Sequence, residues 1–148
     1  MSETLSLFTI GFTKKSAEDF FTKLQDANVT RILDVRLKNS SHLAGFAKQE
    51  HLVYFLRAIA SIDYVHLPDL APTEDMLTHY KKSKTEWDSY ETAFLELIRR
   101  RKVEMTHSME LFHMGCLLCS EQEPDQCHRR LVAEYLKEQW GNVEITHL

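Results

Sequence analysis

Short apolar runs alternate along this chain with stretches whose apolar residues recur at helical spacing, and no other feature constrains its fold as much. Leu5 to Gly11 (LSLFTIG) reads as a buried strand stopped by glycine. Ser16 is placed to cap a helix, with Glu18 and Asp19 in its first turn, Phe20, Phe21, Leu24 and Ala27 on its inner face, and Asn28 at its end. Thr30 to Arg36 (TRILDVR) is a second strand, and Lys38 to Gly45 a polar loop. Gln49 to Ser61 carries Leu52, Phe55, Leu56 and Ile59 on one helical face. Tyr64 to Leu67 is a third strand ended by Pro68, and Pro68 to Pro72 a turn. Thr73 then caps a helix ending near Lys82. Glu86 to Arg101 is a longer helix with Trp87, Tyr90, Ala93, Phe94, Leu97 and Ile98 inward, and Glu104 to His113 a further helical piece. Met114 to Ser120 is a fourth strand, Asp125 to Trp140 a helix closed by Gly141, and Val143 to His147 a last strand. Strands separated by helices pair in parallel, because the helix supplies the crossover. The expected fold is therefore α/β, a three-layer sandwich with a mostly parallel sheet of about five strands and flanking helices.

At 148 residues the chain is the size of one domain, expected over 1–148, and such a domain buries about 70% of its unfolded surface. Its 43% apolar content argues against long disorder. No repeat, linker or low-complexity stretch is found. No run approaches the roughly 18 apolar residues of a membrane helix, and Met1 to Phe8 lacks a basic, then apolar, secretory pattern. No membrane association is expected. Three cysteines, Cys116, Cys119 and Cys127, make a poor disulfide framework and fit a reducing cytoplasm. The four glycines stand far apart, which excludes the dinucleotide fingerprint and the P-loop, and no HExxH or GxSxG pattern is present. No cofactor is implied.

In open parallel sheets ligands bind beyond the carboxyl ends of the strands. Here those ends are Gly11 to Lys14, Asp34 to Lys38, His66 to Asp69 and Ser120 to Arg129. The segment from Cys119 through Glu121 to Cys127-His128-Arg129-Arg130 leaves a strand and enters a helix. With the helix starting at Asp125, Cys127, His128 and Arg129 fall in its first turn, where free N–H groups and the dipole favour an anion. Cys127 is then a candidate low-pKa nucleophile, or Arg129 and the helix start a clamp for phosphate or carboxylate. The alternative is a buried Cys127 with His128 and Arg129 bonded locally. Asp34 and Arg36 share one face of their strand's end. They are either a base and an anion binder or half of a structural salt bridge, Asp34 to Arg129 or Arg36 to Glu121. His66 ends a strand and points to the core or to the rim.

Cys116, Cys119, Cys127-His128 and nearby His113 supply zinc-type donors, but Cys116 and Cys119 are three apart in a strand and so face opposite ways. A metal site is not expected. Arg99 to Lys102 ends a helix, where basic residues complement the dipole. Residues 104–148 hold three Lys/Arg against eight Asp/Glu, a local −5, and the whole chain is −4, so a broad nucleic-acid face is disfavoured.

Thr9-Ile10-Gly11, Ile32-Leu-Asp-Val-Arg36, Phe46-Ala-Lys48, Tyr64-Val-His-Leu-Pro68, Leu118-Cys-Ser-Glu121, Glu123-Pro124 and Cys127-His128-Arg129 occur in an order that resembles the domain-of-unknown-function family DUF488. The resemblance runs from Thr9 to about Leu136. It implies a single-domain α/β fold of prokaryotic proteins and no established activity. Its shared polar residues are Asp34, Arg36, His66, Cys119, Glu121, Cys127, His128 and Arg129, all on the expected rim. The family often has histidine after the first glycine, where this chain has Phe12.

Three functions remain open. The favoured one is an anion-accepting site at the rim, with Asp34, Cys119, Glu121 and Cys127 as candidate catalytic groups and Arg36, His66, His128 and Arg129 as binding groups for a small anionic or nucleotide-like ligand. The second is nucleic-acid binding or processing through Arg99 to Lys102 and Lys81 to Lys84. The third is a non-catalytic interaction module in which the polar cluster is purely structural.

Overall fold

The computed structural model describes residues 4–38, 45–82, 87–121, 124–125 and 127–148. The loop expected over 38–45 lies largely outside them, as do Lys84 and Glu123. In chain order the elements are β1 (Leu5–Gly11), α1 (Ala17–Asp26), β2 (Arg31–Asp34), α2 (Gln49–Phe55), β3 (Asp63–His66), α3 (Glu74–Lys82), α4 (Trp87–Arg101), α5 (Val103–Thr106), α6 (Met109–Phe112), β4 (Gly115–Cys119), α7 (His128–Trp140) and β5 (Val143–His147). The caps follow from the side chains. Ser16 Oγ accepts from Asp19 N at 3.0 Å, Thr73 Oγ1 from Met76 N at 3.1 Å, and α1 is followed by Asn28 in the left-handed region at φ 61°.

All pairings in the five-stranded sheet are parallel, in the order β3-β2-β4-β1-β5. Strand alternation sends side chains to two cores. Leu5, Leu7, Leu33, Val35 and Leu117 pack with Phe94, Ile98, Val103, Phe112, Leu131 and Leu136 from α4 to α7. Ile10, Ile32, Cys116 and Leu118 pack with Phe20, Phe21, Leu24, Leu52 and Leu56 from α1 and α2. The result is a three-layer α/β sandwich. Among the described residues no helix is long and apolar enough to cross a membrane.

Three expectations are corrected. Ile59 is 49% exposed, because α2 continues as a wider π-helical turn over Leu56–Ala60, whose extra residue rotates the apolar stripe out of phase. Ala93 is exposed, so the inner stripe of α4 is narrower than its spacing suggests, centred on buried Phe94 and Ile98. Most consequential, α7 starts at His128, not Asp125. Cys127 has extended dihedrals (φ −136°, ψ 137°) and is the residue before the first turn.

Candidate functional site

The strand register levels the rim. Gly11 pairs with Cys119, Leu118 with Asp34, and Asp34 with His66, so β1, β4, β2 and β3 release their next residues side by side. Main-chain bonds continue past the strand ends, from Val35 N to Leu118 O (3.2 Å) and Thr13 N to Ser120 O (3.0 Å). Gly11 permits this closeness. A Cβ there would lie 1.6 Å from the Glu121 carbonyl oxygen.

On the α1/α2 side of the rim sits an ion pair. Asp34 is wholly buried and Arg36 is 4% exposed. Arg36 Nε donates to Asp34 Oδ1 at 2.9 Å and Nη2 to Oδ2 at 2.8 Å, a two-pronged contact. Arg36 N also donates to Oδ1 (3.1 Å), and Tyr64 OH to Oδ2 (2.5 Å). Four donors thus fill the carboxylate's roughly four acceptor positions. Burial pulls the Arg36 guanidinium down, but the hydrogen bond and charge of Asp34 outweigh it and leave it raised. The guanidinium also stands 5.3 Å from the ring centre of buried Phe12. His66 Nε2 lies 2.8 Å from the Arg36 carbonyl, which only accepts, so this nitrogen carries the proton.

On the α7 side sits a sulfur cluster. His128 Nε2 donates to the Val35 carbonyl at 2.7 Å, which leaves Nδ1 as the acceptor of the neutral ring, 3.5 Å from Cys119 Sγ. The Cys127 sulfur lies within 4.8 Å of the Cys119 sulfur, and the main chain of Ser120 and Glu121 follows directly after Cys119. The Cys127 hydrogen bond is the largest influence lowering the Cys119 thiol. Burial opposes it, and Ser120, the charge of Arg129 and Glu121 add to the lowering. Cys127 is driven the other way, held well above the ordinary thiol range because it is the donor and is buried. Arg129 is wholly buried. Its Nη1 donates to the Glu121 carbonyl (2.6 Å) and its Nε to Thr9 Oγ1 (3.3 Å).

These placements revise the sequence reading. Cys127 is not in the first turn of the helix but just before it, and of the two thiols it is Cys119 that is lowered and Cys127 that is raised. Asp34 is not placed as a base, its oxygens being saturated. The expected bridges from Asp34 to Arg129 and from Arg36 to Glu121 are replaced by Asp34–Arg36 itself, two residues apart on one face. Glu121 contributes its main chain, and its side chain is exposed. Thr9 and Tyr64 were not singled out. Each stands two residues before a rim residue, Gly11 and His66, and that spacing was the available signal. Arg101 of the basic run is committed internally, Nη1 donating to the Asp69 and Ala71 carbonyls at 2.7 and 2.8 Å.

Cys119, Cys127 and His128 offer donor atoms within 4.8 Å of one another, a set that suits a soft metal. The other donors of the zinc pattern do not join. Cys116 lies in the α1/α2 core, and His113 Nδ1 accepts from Ser6 N at 3.2 Å, so among the described residues the cluster has three donors, not the four of a closed zinc site.

A family model described as domain of unknown function DUF488 matches residues 16–136. No curated protein and no solved structure matches the chain.

Proposed function

For this chain, which belongs to the DUF488 family, we propose a cysteine-dependent enzyme: Cys119 is the nucleophile, and the substrate is a small anionic or nucleotide-like electrophile. The observation that carries the reading is the surroundings of one sulfur. Cys119 Sγ has an imidazole nitrogen at 3.5 Å, a thiol donor, main-chain donors and a nearby guanidinium. The thiol, main-chain and guanidinium groups favour S⁻ over S–H, the imidazole nitrogen is placed to take the proton, and the thiolate is the reactive form.

In this reading His128 Nδ1 takes the Cys119 proton, and the Val35 carbonyl keeps the ring in the required tautomer. Cys127 and the Ser120 and Glu121 main chain hold the resulting charge. Arg129 fixes the Glu121 turn and supplies a positive field for an incoming anion. Asp34 and His66 act through Arg36, as positioning residues on the opposite side of the rim. Glu121 is an exposed carboxylate of the segment, as is Asp125, and is the group proposed to move a proton at the mouth. Cys119 keeps only 6% of its surface, which restricts the electrophile to a small or slender group.

The test is alkylation with a neutral and an anionic reagent. Iodoacetamide should label Cys119 at pH values below the usual thiol range of about 8.5. The ratio of iodoacetate to iodoacetamide rates should exceed that of a free cysteine peptide. Cys119 reacting no faster at neutral pH than that peptide, with no preference for the anion, removes the reading.

A further inference from the structure

We infer that Cys119 and Cys127 form a reversible intrachain disulfide, with Cys119 as the sulfur that a hydroperoxide oxidises and Cys127 as the thiol that resolves it. The inference rests on the reading of Cys119 as a nucleophile and assigns Cys127 a second role.

Three geometric facts support it. The two sulfurs lie within 4.8 Å of one another. Neither is in a disulfide, so both are available. Cys119 is the last residue of β4 and Cys127 stands ahead of the first turn of α7, so Cys127 can adjust toward a sulfur–sulfur bond length of about 2.05 Å without unwinding that helix. With Cys119 6% and Cys127 2% exposed, a sulfur of a second chain is poorly placed to compete, and the exposed edge of Cys119 is where a small hydroperoxide would meet it. The third cysteine, Cys116, faces the other core and its thiol is pushed far above the ordinary range by burial, so it stays reduced.

The chemistry balances. The Cys119 thiolate attacks the terminal oxygen of ROOH. The O–O bond breaks, an S–O bond forms, and RO⁻ leaves, taking up the proton that His128 Nδ1 had accepted from Cys119. Cys119 is now a sulfenic acid. The Cys127 sulfur then attacks it, the S–S bond forms, the S–O bond breaks, and the departing hydroxide takes the Cys127 proton to become water. Two thiols and ROOH give a disulfide, ROH and water. A dithiol reductant returns the chain to its starting state.

The experiment treats the reduced full chain with hydrogen peroxide, counts free thiols and maps peptides. The thiol count should fall from three to one, with Cys119 linked to Cys127, and dithiothreitol should restore it. Cys127→Ser should instead hold Cys119 as a sulfenic acid that dimedone traps, and Cys119→Ser should leave both remaining thiols reduced. Three outcomes overturn the inference. In the first, Cys119 is oxidised past the sulfenic acid while Cys127 stays free; in the second, it is linked between two chains. Either of these leaves Cys119 a nucleophile and sinks only the resolving role. If Cys119 reacts with neither peroxide nor iodoacetamide, the proposed function fails with it. Wild-type mapping decides the matter even where a variant folds poorly.

Discussion

Asp34→Asn is the substitution that best tests the physical account of the rim. The change keeps shape and volume, so it opens no cavity. It removes the one negative charge that Arg36 holds at 2.8–2.9 Å through two nitrogens. Asp34 is 0% and Arg36 4% exposed, so water cannot take the carboxylate's place. The new amide nitrogen would also face a donor, Arg36 Nη2, where an acceptor stood. Breaking a buried pair by neutralising one partner costs about 3–5 kcal/mol, and a chain of this size loses roughly 2–4 °C of Tm per kcal/mol, so Tm should fall by about 6–20 °C. Replacing both partners, as Asp34→Leu with Arg36→Met, removes the uncompensated charge. It should recover much of that loss, to within about 2 kcal/mol of the parent, the remainder being the stranded Tyr64 hydroxyl and Arg36 main-chain N–H. The assay is urea and thermal unfolding of the three proteins. An Asp34→Asn cost below about 1 kcal/mol, or a double variant no better than the single one, would refute the claim that Asp34 exists to neutralise Arg36.

Three further outcomes are expected. Cys127→Ala removes the thiol donor to Cys119, so the midpoint of the Cys119 alkylation–pH profile should move up toward about 8.5. The sign follows from linkage. Because Cys119 is lowered on folding, its share of stability is present above the unfolded thiol value and is lost as pH falls through the folded one, and the variant should show less of that loss on acidification. Gly11→Ala places a methyl group on the Glu121 carbonyl. It should destabilise by about 3 kcal/mol in denaturant melts and slow Cys119 alkylation, since Ser120 and Glu121, whose main chain helps lower that thiol, sit on the displaced turn. Arg129→Lys keeps the charge but cannot fork between Thr9 Oγ1 and the Glu121 carbonyl, so unfolding should show a loss of about 2 kcal/mol, while Arg130→Lys, at a part-exposed pairing with Glu134, should cost under about 0.5 kcal/mol.

Much of the molecule is written locally. The strands at Leu5–Gly11 and Val143–His147, the Ser16 and Thr73 caps, and the stop at Gly141 come from residues that act within a few positions of themselves, by alternation, side-chain capping or backbone freedom. Strand alternation with helical crossovers fixes a parallel sheet, and the parallel sheet fixes which ends carry the chemistry. The Asp34–Arg36 contact was also within reach of the sequence, since two residues on one face of a strand end are already neighbours. What the chain could not state was which of three cysteines has its thiol lowered. That depends on a carbonyl at Val35 turning His128 Nδ1 toward Cys119, on α7 beginning one residue after Cys127, and on Glu121 folding over a glycine 110 residues earlier to meet Arg129. A thiol's proton affinity is set by donors and charges within a few ångströms, and only the folded chain brings groups from β1, β2, β4 and α7 to that distance.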